Sequence, residues 1–279
     1  MKILVAGGNG LLGTNILPFL RERFEVAVYD LNEWDITDAA AGEKVMDLNR
    51  PDWVLNLAAM TDVDCCEDES KLAQKVNTAG AGTVASLCRK SGSRLIHLST
   101  DYVFDGRKGS PYSENDEPNP ISIYGRTKHA GEKMVFSELP SAVVLRTQWL
   151  YGAGGSNFVD KIVKVAMEQG SVRVVNDQEG SPTYARDLAA PVEAIIMKGL
   201  SGVFHAANSG SCTWYDFAKT IFSFLGMEIQ ATPISSLELG RKASRPPYCV
   251  FDLSRLEGVV GIRMRHWTEA LREYLEATS

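Results

Sequence analysis

The stretch KILVAGGNGLLGTNILPFL, residues 2–20, decides the fold. Its short apolar run predicts a buried strand, and the apolar spacing that follows predicts a helix. Gly7, Gly10 and Gly13 form a GxxGxxG pattern at the junction. One such glycine permits a tight turn, one lets the backbone approach a pyrophosphate, and one lets the helix pack on the strand. A turn without a ligand would also use glycines, but a strand before and a helix after favour a dinucleotide site.

The bulk composition is that of an ordinary soluble globular protein. The chain has 279 residues, 44% hydrophobic, and a net charge of −6 with no basic block. These values suit one large domain with a sizeable core and weigh against nucleic acid as a partner. The apolar run at the N-terminus breaks at glycines after four residues and no run is long enough to cross a bilayer, so we expect a cytoplasmic protein with no membrane association.

The cysteines predict neither disulfides nor a metal site. The chain has five, an odd number, and no CxxC pair, which favours free thiols in a reducing compartment. The four histidines are scattered, so we expect no metal ligands.

Strands and helices alternate through the first half of the chain. Short apolar strands are predicted at residues 2–7, 25–30, 51–59, 94–100 and 141–152, with helical segments between them. Pro18 should kink the first helix or delay its start, and one long helix is predicted to end near Gly92. The alternation predicts an α/β fold, a Rossmann-type doubly wound parallel sheet.

The pattern loosens after Gly152. We expect residues 1–150 to form an NAD(P)-binding Rossmann domain, with segments near 176–207 returning to it. Residues 151–279 should mainly form a smaller C-terminal substrate-binding lobe.

Asp30 closes the second predicted strand. An acid there bonds a ribose 2′-hydroxyl and repels a 2′-phosphate, so we favour NADH and keep NADPH open. A turn aspartate is the alternative. Asp35 and Ile36 follow where a side chain could cover the adenine, although Asp35 would equally suit a turn or helix cap.

Three residues form the candidate catalytic set. Thr100 ends a predicted strand, and Tyr124 and Lys128 are one helical turn apart on the same face. A lysine charge beside a phenol favours phenolate and lowers the tyrosine pKa, which suits proton transfer at a carbonyl oxygen. A threonine hydroxyl can bond the same oxygen. A surface pair and a plain strand-end residue are the alternatives.

These motifs together resemble the extended short-chain dehydrogenase/reductase superfamily. The stretches STDYVFDG, PYSENDEPNPISIYGRTKHAGE, VLRTQWLYG, DQEGSPTYARDLA and RPPYCVFDLSRLE are similar to the dTDP-4-dehydrorhamnose reductase family. The similarity covers nearly the whole chain. It implies an NAD(P)H-dependent oxidoreductase of dTDP-rhamnose biosynthesis that acts on a nucleotide-linked keto-deoxy sugar.

The resemblance implies a role for each matching residue. Tyr124 would give the proton to the C4 keto oxygen, Lys128 would bond the nicotinamide ribose, and Thr100 would assist the transfer. Substrate binding would fall to Thr100, Asp101 and Trp149. Cofactor binding would fall to Gly10, Leu11 and Leu12 at the pyrophosphate and to Ala58, Ala59 and Met60, where the family often has histidine at the position of Met60.

Each of these roles has a structural alternative. Trp149 would also suit a domain core, Asp101 a loop cap, and the two alanines any close backbone contact. Arg241 and Arg245 could approach a diphosphate or simply be solvated. The resemblance allows a homodimer and a divalent ion at a subunit contact, but no ligand cluster requires a metal.

Two other functions compete. Another sugar-nucleotide enzyme on the same scaffold, an epimerase or dehydratase, would retain its cofactor. A non-catalytic regulatory subunit resembling the methionine adenosyltransferase beta subunit would need no intact Thr100, Tyr124 and Lys128.

Overall fold

A computed structural model describes residues 1–278 of the chain. The strands are β1 Lys2–Ala6, β2 Glu25–Tyr29, β3 Trp53–Asn56, β4 Arg94–Thr100, β5 Val143–Thr147, β6 Leu150–Tyr151, β7 Ser171–Val175, β8 Glu179–Gly180, β9 Thr183–Tyr184, β10 Gly202–His205, β11 Cys212–Thr213 and β12 Gln230–Ile234. The α-helices are α1 Leu11–Leu20, α2 Ala39–Asn49, α3 Val63–Asp68, α4 Ser70–Ala73, α5 Ala81–Ser91, α6 Ile123–Glu138, α7 Phe158–Gln169, α8 Ala189–Lys198, α9 Trp214–Phe224, α10 Ser236–Leu239 and α11 Trp267–Thr278.

A six-stranded parallel sheet organises the first half of the molecule. Its order is β10-β5-β4-β3-β1-β2, and every neighbouring pair runs parallel. The chain leaves β1 for β2 on one side and returns to β3 on the other, which places a topological switch point between β1 and β3. Ligands of such sheets bind beyond the carboxyl ends of the strands at this point. The predicted doubly wound α/β fold is confirmed.

Apolar helices cover both faces of the sheet. On one face Ile16 of α1 and Ile195 of α8 are fully buried against β1 and β5. On the other, Val84 of α5 and Met46 of α2 pack against β3 and β4. With both faces covered, β1, β3 and β5 bury consecutive rather than alternating residues, which is typical of parallel sheets.

The later segments build a second core. An aromatic cluster of β6, α9 and α11 contains Tyr151, Phe217, Trp267 and Tyr274, all buried. The strands β7 and β12 pair beside this cluster. β10, in contrast, lies at the edge of the main sheet, paired with β5. The domain boundary near residue 150 stays a prediction.

Two helices differ from expectation. α1 begins at Leu11 and contains Pro18, so a late start is wrong. The long helix before Gly92 is divided, because residues Gln74–Gly80 form a π-helical stretch between α4 and α5. Such stretches are often found at functional sites. Gly92 ends α5 in the left-handed conformation.

Candidate active site

A cavity of about 930 Å³ opens at the carboxyl ends of the parallel strands, where the fold places a ligand. Fifteen of the sixteen residues predicted for the site line it, and Lys128 is buried beside it. The fifteen are Gly7, Gly10, Leu11, Leu12, Gly13, Asp30, Asp35, Ile36, Ala58, Ala59, Met60, Thr100, Asp101, Tyr124 and Trp149. The structure thus brings these sequence-distant residues together; it does not test their individual roles.

The three glycines of the first loop have separate structural reasons. Gly7 has a φ of +75°, and a Cβ there would lie 2.7 Å from the backbone nitrogen of Ala58. A Cβ on Gly13 would lie 2.0 Å from the Gly8 carbonyl oxygen, so this glycine lets α1 pack on the strand. Gly10 has no such conflict, since its nearest neighbour would be 3.5 Å away. The open space beside Gly10 lies at the N-terminus of α1, where unpaired backbone amides favour an anion.

Acidic side chains lie at the end of β2. Asp30 accepts hydrogen bonds from the backbone N–H of Asn9 (3.0 Å) and of Leu31 (2.7 Å). Asp35 accepts from the Thr37 N–H at 2.8 Å, so the alternative of a turn residue describes its contact as well. Among residues 1–278 no lysine or arginine lines the cavity.

Asn77 fixes the loop that follows β3. Its amide accepts from the Met60 N–H (2.8 Å) and donates to the Met60 carbonyl (3.0 Å) and to the Thr127 hydroxyl (3.2 Å). Asn77 belongs to the π-helical stretch and is 1% exposed. Its side chain therefore connects the Ala58–Met60 loop to α6. Sequence reasoning missed this residue.

Thr100 and Tyr124 meet at the end of β4. α6 approaches closely because Gly125 leaves room: a Cβ there would lie 2.1 Å from the Tyr102 carbonyl oxygen. Burial raises the pKa of Tyr124, and a hydrogen bond with Thr100 opposes this shift. The Thr100 hydroxyl also donates to Asp101 Oδ1 at 2.9 Å. Thr100, Asp101 and Tyr124 thus form a continuous polar path.

Lys128 differs from its predicted behaviour. Its Nζ donates to the Leu98 carbonyl oxygen at 2.6 Å, and the side chain is 3% exposed. Burial lowers the pKa of Lys128 to about 8, while the charge of Glu132 acts in the opposite direction. Because burial dominates at Tyr124, the predicted lowering of its pKa by Lys128 is not what the structure shows.

Asp101 is buried with an unsatisfied oxygen. The side chain is 2% exposed, and Oδ2 has no hydrogen-bond partner among the described residues. Burial raises the pKa of Asp101 to about 7, although hydrogen bonds from Thr100 and Cys249 oppose this shift. An unpaired buried acceptor is costly. Its position in the cavity wall therefore suits a hydroxyl-bearing ligand.

Trp149 forms an aromatic wall with a residue that sequence reasoning missed. It has a φ of +46°, uncommon for a bulky residue, and stacks on Trp214, which also lines the cavity. Gly180 makes room, since a Cβ there would lie 2.6 Å from Trp149 Cε2. The helix-start pattern TWYDF placed Trp214 at the first turn of α9, but only the fold shows where that turn points.

Arg241 and Arg245 contact an acid rather than the cavity. Both reach Asp64, with Arg245 Nη2 at 2.9 Å and Arg241 Nη1 at 3.5 Å. The Arg245 guanidinium, through a hydrogen bond, is the main force that lowers the pKa of Asp64. Neither arginine lines the cavity, so the predicted diphosphate contact has no support in this arrangement.

No group of three or more His, Cys, Asp or Glu side chains is placed to hold a metal ion within residues 1–278. None of the helices in the same range combines the length and apolar character needed to cross a bilayer.

The fold and the site together define a dinucleotide-binding α/β protein of the short-chain dehydrogenase/reductase type. The chain belongs to the family described as RmlD substrate binding domain, which it matches over residues 1–279.

Named relatives are similar to this chain over nearly its whole length. A dTDP-4-dehydrorhamnose reductase of Streptomyces griseus is 42% identical over 98% of this chain and 93% of its own. A dTDP-4-keto-6-deoxy-D-glucose reductase of Streptomyces niveus is 41% identical over 97% of this chain and 95% of its own. The structure of a dTDP-4-dehydrorhamnose reductase from Bacillus anthracis in complex with NADP is 37% identical, covers 99% of both chains and superposes with a TM-score of 0.95.

Proposed function

We propose that this protein reduces the C4 keto group of dTDP-4-dehydro-L-rhamnose to dTDP-L-rhamnose with a reduced nicotinamide cofactor. The observation that carries the proposal is the convergence of Thr100, Tyr124 and Lys128 beside a glycine-rich dinucleotide loop. Membership in the reductase family and the names of its relatives support the same activity. The function would make the protein an oxidoreductase acting on CH–OH groups.

The cofactor would be held along the switch point of the sheet. Gly10, Leu11 and Leu12 would receive the pyrophosphate, and Asp30 the adenine ribose. When bound, the reduced nicotinamide supplies the hydride. Lys128, which is buried beside the cavity, would bond the nicotinamide ribose.

The chain's own part is the delivery of a proton. Tyr124 would give its phenolic proton to the C4 oxygen as charge develops there. Thr100 would donate a hydrogen bond to the same oxygen and so share the charge. The buried phenol starts as a weak acid, because burial raises its pKa. Thr100, whose hydrogen bond opposes the rise of this pKa, would also stabilise the phenolate left after the transfer.

The sugar would lie between Asp101 and Trp149. Asp101, which lines the cavity, would accept a hydrogen bond from a sugar hydroxyl. Trp149, stacked on Trp214, would offer the sugar an apolar face.

We infer a preference for NADH over NADPH. Asp30 and Asp35 line the adenosine end of the cavity, and no cation lines it to balance a 2′-phosphate within residues 1–278. The Bacillus anthracis relative has NADP bound, so both cofactors belong in the assay. A cytoplasmic location and a homodimer stay predictions.

A turnover assay tests this function. The full-length protein is mixed with dTDP-4-dehydro-L-rhamnose or dTDP-4-keto-6-deoxy-D-glucose and either NADH or NADPH, and the loss of reduced-cofactor absorbance is followed. We expect stoichiometric oxidation, fastest with dTDP-4-dehydro-L-rhamnose and NADH. Conversion of the sugar without net cofactor oxidation would instead identify an epimerase or dehydratase. Absence of any turnover, together with co-purification of a synthetase, would favour the regulatory subunit.

A further inference from the structure

A buried carboxylate lies one helical turn beyond Lys128. Glu132 is 2% exposed and accepts hydrogen bonds from Ser99 Oγ (2.5 Å), Arg146 Nε (2.9 Å) and Arg146 Nη2 (2.7 Å). His129 Nδ1 lies 3.3 Å from Glu132 Oε2, the oxygen that also accepts from Arg146 Nη2. Arg146 is itself 3% exposed. The pair is therefore a fully buried ion pair, a kind of contact that rarely adds net stability and calls for another reason.

The contact of Glu132 with β4 lies beside those of Lys128 and Tyr124. Three consecutive residues at the end of β4 each contact one residue on the same face of α6. The pairs are Leu98 with Lys128, Ser99 with Glu132, and Thr100 with Tyr124. Because residues four apart share a helix face, the Glu132 contacts also fix the rotation and height of α6 that present Tyr124 and Lys128.

Glu132 remains ionised despite its burial. Burial alone would raise the pKa of Glu132, but hydrogen bonds from Arg146, His129 and Ser99 lower it to about 2. Glu132 therefore carries a negative charge at neutral pH, one helical turn from Lys128. This charge opposes the effect of burial on Lys128, whose pKa would otherwise fall below about 8.

Other titratable groups surround this part of α6, but none takes the place of Glu132. They are Tyr124 and His129 on the helix, His97, Asp101 and Tyr102 on or after β4, Arg146 on β5, His205 on β10 and Cys66 on α3. Burial and the charge of Lys128 keep the pKa of His97 well below its usual value, although the charge of Glu132 acts in the opposite direction. Arg146 is positive and would only disfavour a second cation.

We propose that Glu132, held by Arg146 and Ser99, is a positioning residue that keeps the Lys128 ammonium charged and in place beneath the cofactor site. The inference rests on the proposed function for its kinetic readout. It assigns a task to a buried ion pair that touches neither the cavity nor any predicted ligand.

The decisive variant is Glu132→Gln, which keeps the shape and removes the charge. Its matched control is Glu138→Gln, on the same helix, which loses only a surface ion pair with Arg89 (2.9 Å). In the wild type, activity should fall as pH rises past about 8, because Lys128 loses its proton there. In Glu132→Gln we expect this fall of activity at alkaline pH, the alkaline limb of the pH profile, to occur about one pH unit or more lower. In Glu138→Gln it should not move.

A second variant covers the risk of misfolding. Glu132→Gln alone leaves Arg146 buried without a partner, which is strongly destabilising. In Glu132→Gln/Arg146→Gln both charges are gone and no unpaired ion remains. The fall of activity at alkaline pH should move in the same direction, since the charge of Glu132, and not that of Arg146, is what opposes the effect of burial on the pKa of Lys128. If the folded double variant had the same alkaline limb of the pH profile as the wild type, the proposal would be overturned.

A direct titration separates this inference from the proposed function. Side-chain ¹³C labelling of lysine lets the Lys128 signal be followed by NMR, with Lys128→Met identifying it. The wild-type signal should titrate near pH 8, and that of the variants at lower pH. This measurement needs no substrate. If the wild type were inactive on every sugar, the proposed activity would be refuted, but the titration of Lys128 could still be interpreted. Equal titration in all forms would refute the role of Glu132.

Discussion

The indole rings of Trp149 and Trp214 stack with their centroids 3.6 Å apart and their planes inclined by 9°. The pair joins the end of the sheet domain to the first turn of α9 and lines the cavity. Phe158 continues the cluster, 4.6 Å from the ring of Trp214. The face of the cavity opposite Thr100 and Tyr124 is thus rigid and aromatic.

Trp214→Ala should weaken sugar-nucleotide binding. Removing the stacking partner frees Trp149 from its uncommon backbone conformation, and an aromatic contact of this kind is worth about 0.5–1.5 kcal/mol. We expect KM for the sugar nucleotide to rise about two- to tenfold, with the Kd of NADH unchanged. Trp214→Phe, which keeps a ring, should lie close to the wild type. Steady-state kinetics and cofactor fluorescence measure the two quantities, and an unchanged KM in the alanine variant would contradict the assignment.

Tyr124→Phe should abolish most turnover and preserve NADH binding. The phenyl ring keeps the packing against Tyr102, whose ring centroid lies 5.4 Å away, but has no proton to give. Loss of a general acid costs about 10²–10⁴-fold in kcat. Single-turnover kinetics and a cofactor titration are the measurements. Tyr215→Phe, in the lobe, is the control, and reduction of the sugar by Tyr124→Phe at the parental rate would refute the mechanism.

Gly13→Ala and Gly10→Ala should separate stability from cofactor binding. The new Cβ at position 13 would lie 2.0 Å from the Gly8 carbonyl and must push α1 away, at a cost of about 1–3 kcal/mol. At position 10 the nearest atom to a new Cβ is 3.5 Å away, so the free energy of unfolding should change by less than about 1 kcal/mol.

Gly10→Ala should instead lose affinity for NADH, because its methyl group occupies the space beside the N-terminus of α1. Chemical denaturation and cofactor titration of both variants test the pair. Equal cofactor affinity in Gly10→Ala and the wild type would place the pyrophosphate elsewhere.

His205 should make stability depend on pH. Its Nδ1 donates to the Tyr112 carbonyl at 3.0 Å, and burial together with the charge of Arg146 lowers its pKa to about 3. The unfolded chain takes up a proton below about pH 6.5 and the folded protein does not. Stability from this group is therefore full above about 6.5 and is lost as pH falls towards 3.

The maximal slope for one proton is about 1.4 kcal/mol per pH unit. His205→Asn should flatten the dependence of the free energy of unfolding on pH between about 6 and 4, as measured by urea denaturation at stepped pH. His266→Asn, at an exposed position, is the control. A slope as steep in His205→Asn as in the wild type would exclude this origin.

The sequence predicted the parts of the site that depend on local spacing. Gly7, Gly13, Thr100 and Tyr124 line the cavity because a glycine turn, a strand end and a helix face are encoded within a few residues of each. The parallel sheet followed from the alternation of apolar strands with helices. Such features need no knowledge of distant contacts.

Long-range contacts could not be predicted in the same way. Asn77 acts from a π-helical stretch that apolar periodicity does not distinguish from an α-helix. Trp214 reaches Trp149 only because the lobe folds back on the sheet. Lys128 shares a helix face with Tyr124 as predicted, but its long side chain finds the Leu98 carbonyl instead, a partner set by how deeply α6 is seated.

The place of β10 at the edge of the sheet limits how the molecule can be divided. Its Phe204 and the Ile195 of α8 are buried against β5 and α1, so a fragment ending near residue 150 would expose Leu145 and an unpaired apolar strand. Such a truncated cofactor module should aggregate. A chimaera made to exchange sugar specificity must therefore keep residues 185–206 with the parent of the sheet, together with Leu256, Val260 and Met264 of the same core.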